Sequence, residues 1–123
     1  MRTTGDTNKR KLGGQMEQAV QEYLKSHGFV ILEMNYRCRQ GEIDIIAKED
    51  NYYVFIEVKY RSTTDYGLPG EAVGPAKQKR ISMAAQYYLY SHGLSEDTPV
   101  RFDVAGVLKD KITYYRNAFE FCV

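Results

Sequence analysis

Tryptophan is absent, cysteine occurs only twice, and the formal charge of the 123-residue chain is just +1. Each scarcity closes off a class. Cys38 and Cys122 stand far apart with no C-x-x-C spacing, so neither a disulfide framework nor a zinc site is expected. The sequence shows neither a secretory apolar core nor an apolar run long enough to span a bilayer. No membrane segment is therefore expected, and a reducing cytoplasm is the expected compartment. A net charge so near zero excludes the strongly basic balance that by itself announces a nucleic-acid binder. Its distribution says more: Arg2, Lys9, Arg10 and Lys11 oppose Asp6 alone near the start, leaving a slightly acidic body behind a basic tail. The eleven tyrosines serve strands, wet interfaces and base stacking alike, and so choose among none of them.

The length suits one domain with one core, with a flexible basic tail over 1–13 and the domain over 14–123. Past Gly13-Gly14, apolar positions recur at three- and four-residue steps through Met16, Ala19, Val20, Tyr23 and Leu24 until Gly28, which predicts an amphipathic helix. Phe29–Leu32, continuing toward Tyr36, and Glu42–Ala47 read as strands split around Gln40-Gly41. Lys48–Asn51 is a polar turn, and Tyr52–Lys59 reads as a third strand antiparallel to the second. Residues 60–74 are rich in turn formers, and a loop of that length in so small a domain is often functional. Pro75 suits the first turn of a second helix whose stripe is Ile81, Ala84, Ala85, Tyr88 and Leu89. Val100–Leu108 and Ile112–Tyr115 close the chain as a hairpin around Lys109-Asp110. The order α-β-β-β-α-β-β implies an α/β sandwich with a central mixed sheet flanked by two helices.

Tyr-Leu-x-Ser-His-Gly occurs at Tyr23–Gly28 and again at Tyr88–Gly93. Both copies close a helix, where glycine and histidine are ordinary choices, so shared capping is expected rather than duplication. His27 and His92 are accordingly set aside as ligands.

The chemistry concentrates in the second and third strands. Alternation puts Glu57 and Lys59 on one face of the third strand, with Val54, Ile56 and Val58 on the other. On the second strand Ile43, Ile45 and Ala47 are expected to share a face, leaving Asp44 opposite with Glu42 and an apolar exception, Ile46. In a hairpin centred on 48–51, Asp44 and Glu57 lie at comparable distances from the turn and can meet. Phosphodiester hydrolysis needs hard oxygen ligands for Mg²⁺ and a cation near the developing charge. Asp44 and Glu57 supply the first, with the Val58 carbonyl between them, and Lys59 supplies the second. On a helix wheel Glu17 falls at the edge of the buried stripe, where it can lean toward the metal.

Gly41-Glu42-Ile43-Asp44, Glu57-Val58-Lys59-Tyr60-Arg61 and Arg101-Phe102-Asp103-Val104, in this order, resemble the YraN-like family of bacterial proteins. That family in turn resembles the PD-(D/E)XK nuclease superfamily, particularly archaeal Holliday-junction resolvases. The match runs from about Gly14 to Tyr115, and Ile43 stands where the superfamily name has proline. The resemblance implies a restriction-endonuclease-like three-layer sandwich. It implies Asp44, Glu57 and Lys59 at the metal and catalytic positions, Glu17 as the acid of the first helix, and Mg²⁺ or Mn²⁺ as the ion. It also implies action on DNA, with branched DNA and a homodimer as further expectations.

Arg37, Arg39 and Arg61 flank the site in sequence and suit phosphate contacts, though an arginine near carboxylates is as often their neutralising partner. Lys77, Gln78, Lys79 and Arg80 open the second helix, where free N–H groups favour an anion. Lys77 and Gln78 share the wheel sector of Ile81 and Ala85 and are expected to face the active edge of the sheet. Asp103, beside Arg101, reads as structural. Two function classes remain: a metal-dependent endodeoxyribonuclease, and a DNA-binding or scaffold module without turnover. The converging carboxylates favour the first, because without a metal they would repel phosphate.

Overall fold

A computed structural model describes residues 17–61, 73–109 and 111–122. The 1–13 tail, the start of the first helix stripe at Met16, most of the 60–74 stretch and the side chain of Arg61 lie outside the described residues. Helix α1 covers residues 17–26, followed by β1 (Val30–Cys38), β2 (Gly41–Glu49) and β3 (Tyr52–Arg61). Helix α2 (Pro75–Ser91) leads to β4 (Val100–Leu108) and β5 (Lys111–Phe119). The five strands lie in chain order, β1-β2-β3-β4-β5, all antiparallel except the β3–β4 pair that α2 connects. The expected α-β-β-β-α-β-β order and mixed sheet are what the chain forms.

Each helix covers one face of the sheet. Val20 and Leu24 of α1 pack with Ile45, Ala47, Val54, Ile56, Ala105 and Val107. On the other face Ile81, Ala84, Ala85, Tyr88 and Leu89 of α2, the predicted stripe, pack with Ile43, Ile46, Phe55, Phe102 and Val104. The central strands are thus apolar on both sides, which is why Ile46 and Phe55 break simple alternation. Fully burying side chains of this size is worth about 1.5–3 kcal/mol each, so the two layers, more than helix propensity, hold the helices in place.

One expectation is corrected. Ile43 does not share a face with Ile45 and Ala47; it packs with Ile46 under α2, while Ile45 and Ala47 face α1. Two residues of odd separation on one face require a break in the pleat, and the break falls where β2 stops pairing with β3. The closing hairpin is also longer than expected, because β5 runs on to Phe119. Its extension passes a register shift between Phe102 and Val104 and a positive φ of 52° at Asn117, a bulge that local alternation does not reveal.

Both copies of the repeated hexapeptide form the same helix end. The Ser26 and Ser91 hydroxyls donate to the carbonyls of Tyr23 and Tyr88, and the His27 and His92 Nδ1 groups meet those carbonyls at 2.8 and 2.9 Å. Each imidazole stacks on the tyrosine one turn back. The glycines take φ of 90° and 67°, letting the Phe29 and Leu94 N–H groups return to the Leu24 and Leu89 carbonyls. Each histidine is thus held against its own helix end.

Gly41, which opens β2, lies against the backbone of α2: a Cβ there would sit 3.3 Å from the Arg80 carbonyl oxygen, at a φ of 157°. A side chain there would have to push the Arg80 backbone back by a few tenths of an ångström. Gly41→Ala is expected to destabilise the protein by about 1–3 kcal/mol, read as a lower thermal midpoint; an unchanged midpoint would refute this close-packing role.

Candidate active site

The β2–β3 ladder runs from Glu49↔Tyr52 to Ile45↔Ile56 and stops, although both strands continue. The next positions, Asp44 and Glu57, therefore flank an opening between the strands. Asp44 bridges it: its Oδ2 accepts the Val58 N–H at 2.7 Å, a backbone donor released from the ladder. This fixes the carboxylate beside Val58, the residue whose own carbonyl was expected to complete the ligand set. The Asp44 charge also helps raise the Glu57 pKa, so the two acids lie close enough to feel each other.

Glu57 is only 6% exposed, on the α2 side with Phe55. A carboxylate removed from water to that degree costs several kcal/mol unless cations compensate. Burial raises its pKa above the ordinary carboxylate value; the hydrogen bond from Lys77 acts against this, and the neighbouring Asp44 reinforces it. Lys59 Nζ lies 3.9 Å from Glu57 Oε2, on the face alternation predicts, and its side chain is 31% exposed. The closer partner is Lys77, whose ammonium is in direct contact with that same oxygen. Burial pulls the Lys77 pKa down, but Glu57 and then Asp44 outweigh it and raise it.

Glu17 lies across the sheet from Lys77. It lines a small cavity of about 100 Å³ with Asp44, Val58 and Tyr60 on the α1 side. Burial pushes the Tyr60 hydroxyl pKa upward, with Glu17 and Asp44 adding to the effect, which places this phenol beside both acids. Tyr60 was not singled out in the sequence, though it shares a face with Val58 by alternation. Among the described residues no three His, Cys, Asp or Glu side chains form one metal-sized cluster; Glu17 shares its cavity with Asp44 but not with Glu57.

The remaining predicted residues sort by position. Arg37 pairs with Glu42 at 3.3 Å on the exposed surface and lines a basic cavity with Lys77 and Arg80. Arg39 is exposed. The Gln78 amide donates to the Val73 carbonyl at 2.7 Å and fastens the start of α2 instead of reaching the carboxylates. Asp103 is fully buried and structural: it receives the Arg101 guanidinium, the Tyr114 hydroxyl at 2.6 Å and the Asn117 N–H at 2.8 Å. A larger cavity of about 730 Å³, beside Met83, Tyr87, Tyr90 and Phe121, touches none of the predicted residues.

Asp44 and Glu57 with an adjacent backbone carbonyl are a hard-oxygen donor set, incomplete in the way suited to Mg²⁺, which keeps several of its waters. The residues present fit such an ion. Residues 16–107 match the family described as "Uncharacterised protein family UPF0102". The chain belongs to this family. It is 49% identical to a UPF0102 protein of Lachnoclostridium phytofermentans, over 92% of this chain and 96% of the relative. It is 48% identical to one of Syntrophus aciditrophicus, over 97% and 94%. A third, of Desulforapulum autotrophicum, is 44% identical over 94% and 98%. Within this UPF0102 chain the family match covers α1 and β1–β3, and so every residue at the strand opening, together with α2 and most of β4. No helix among the described residues is long and apolar enough to cross a membrane.

Proposed function

We propose that this UPF0102 protein is a metal-dependent endodeoxyribonuclease that hydrolyses DNA phosphodiester bonds. The observation that carries the reading is the meeting of Asp44 and Glu57 where β2 and β3 separate, with Lys59 on the same carboxylate. Asp44, Glu57 and the Val58 carbonyl hold Mg²⁺ or Mn²⁺. When bound, the ion supplies Lewis acidity and a more acidic water. Asp44 is oriented for this by the Val58 N–H, and Lys59 presents an ammonium to charge developing on the phosphate. Glu17 and Tyr60 bound the opening on the α1 side and act through Asp44.

DNA approach to an acidic pair requires neighbouring cations. Arg37, Lys77 and Arg80 line a cavity of about 400 Å³ next to the site and supply them, with the exposed Arg39 as a further phosphate contact. Binding is therefore expected to weaken as salt rises. Branched DNA is the proposed substrate and a two-fold dimer the proposed form, because a four-way junction presents two strands to two symmetry-related sites. Light scattering with parallel cleavage of a junction and its linear duplex tests this; a monomer cutting both equally removes the junction reading.

The central test is DNA cleavage by pure protein with Mg²⁺ or Mn²⁺, on linear, flapped and four-way substrates. Calorimetry is expected to show an Mn²⁺ site that Asp44→Asn and Glu57→Gln each weaken at least about tenfold, whereas Glu17→Gln has the smaller effect. Mn²⁺ affinity equal to the parent's in the first two variants would refute the metal assignment. Absence of cleavage on every substrate would favour a binding module.

A further inference from the structure

Lys77 is a cation where its own helix disfavours one. Helix α2 starts at Gly74 without a side-chain cap, and its first turn holds no acidic residue. An ammonium at that positive end is unfavourable by the helix dipole alone. Its compensation comes from another element: Lys77 Nζ contacts Glu57 Oε2 across the α2–β3 interface. Lys59 reaches that oxygen only at 3.9 Å, so Lys77 is the cation in immediate contact with a buried carboxylate that also faces Asp44.

A divalent ion held by Asp44 and Glu57 binds the carboxylate that Lys77 contacts through Oε2. On either oxygen of Glu57 the ion would lie close to that ammonium, where two cations repel strongly inside a protein, so ion and ammonium compete for Glu57. Lys77 is not locked in place, since its side chain is 39% exposed and borders the basic cavity with Arg37 and Arg80. We propose that Lys77 is the resident counter-ion of the site: its ammonium neutralises Glu57 until a divalent ion binds that carboxylate, and its displacement then turns the lysine toward a DNA phosphate. The proposal rests on the nuclease reading for the identity of the incoming ion. It makes metal loading and phosphate binding successive uses of one site.

The test is calorimetric titration of the full chain with Mn²⁺, without DNA, in the parent and in Lys77→Met. The expected result is a Kd about tenfold lower in the variant, roughly 1.4 kcal/mol. Without metal the variant is expected to melt below the parent, and saturating Mn²⁺ to raise its midpoint by more. Equal or weaker Mn²⁺ binding in Lys77→Met, with the parent binding normally, overturns the counter-ion role and leaves the nuclease reading intact; binding by neither protein overturns both. Lysine side-chain NMR reads the same event in the unaltered chain. The ammonium signal lost in Lys77→Arg should be protected from exchange without metal and merge with the exposed lysines as Mg²⁺ is added. Its persistence at saturating Mg²⁺ also overturns the proposal.

Discussion

Replacing Lys59 with alanine is expected to lower DNA cleavage about 10²–10³-fold while Mn²⁺ affinity stays near that of the parent. The reason lies in how the two lysines divide the work at Glu57. Lys77 is in contact with the carboxylate, whereas Lys59 stands 3.9 Å away with its end part-exposed toward the opening. Removing Lys59 therefore leaves Glu57 paired and the ligand set assembled, and the thermal midpoint should move by no more than about 4 °C, the equivalent of roughly 1 kcal/mol in a domain of this size. A charge that acts on the transition state more than on bound substrate appears mainly in kcat. The check is single-turnover cleavage beside DNA affinity, each at saturating metal. Unchanged turnover would remove Lys59 from the mechanism, and a matching loss of DNA affinity would make it an ordinary phosphate contact.

Asp103→Ala is expected to have the largest effect on stability, about 3–5 kcal/mol, the usual consequence of breaking a buried ion pair by removing one partner. Asp103 is fully buried and ties three parts of the structure together: Arg101 on its own strand, Tyr114 on β5, and the Asn117 backbone at the β5 bulge. Arg101 also contacts Glu49, which binds Arg116, so the network crosses from β4 to the end of β2. Burial and the neighbouring Asp103 raise the Tyr114 pKa, which keeps its hydroxyl a donor. Losing the carboxylate leaves Arg101 with Glu49 alone and strands the phenol and one N–H. Urea unfolding should show the loss, and a fall below about 1 kcal/mol would mean the network relaxes around the gap. Because Asp103 does not touch Asp44 or Glu57 in the described contacts, cleavage measured well below the lowered midpoint should survive.

The parts legible in the sequence are those governed by local spacing. The stripe from Ile81 to Leu89 names the buried face of α2, and alternation along Tyr52–Lys59 places Glu57 and Lys59 together. Counting outward from the 48–51 turn brings Asp44 opposite Glu57, and the ladder ends one step before them. What the sequence did not show depends on elements distant along the chain. Ile43 changes face because the strands part, and the parting is held by Asp44 on Val58. The helix wheel put Lys77 and Gln78 on one sector, but Lys77 reaches β3 while Gln78 folds back to Val73. A wheel gives direction around an axis; it carries no information on which partner lies at the end of a side chain. The β5 extension follows the same rule, since its bulge is pinned by Asp103 on the neighbouring strand.

A sheet whose spatial order is its chain order can assemble without threading. The β1–β2–β3 meander and the β4–β5 hairpin each close through short turns, at low entropic cost, and what remains is their docking along the parallel β3–β4 seam. Glu57 belongs to the meander and Lys77 to the segment that spans the seam. The contact that neutralises the acid therefore joins the meander to the connection that follows it. The element that covers Glu57 is thus the one that carries its closest cation.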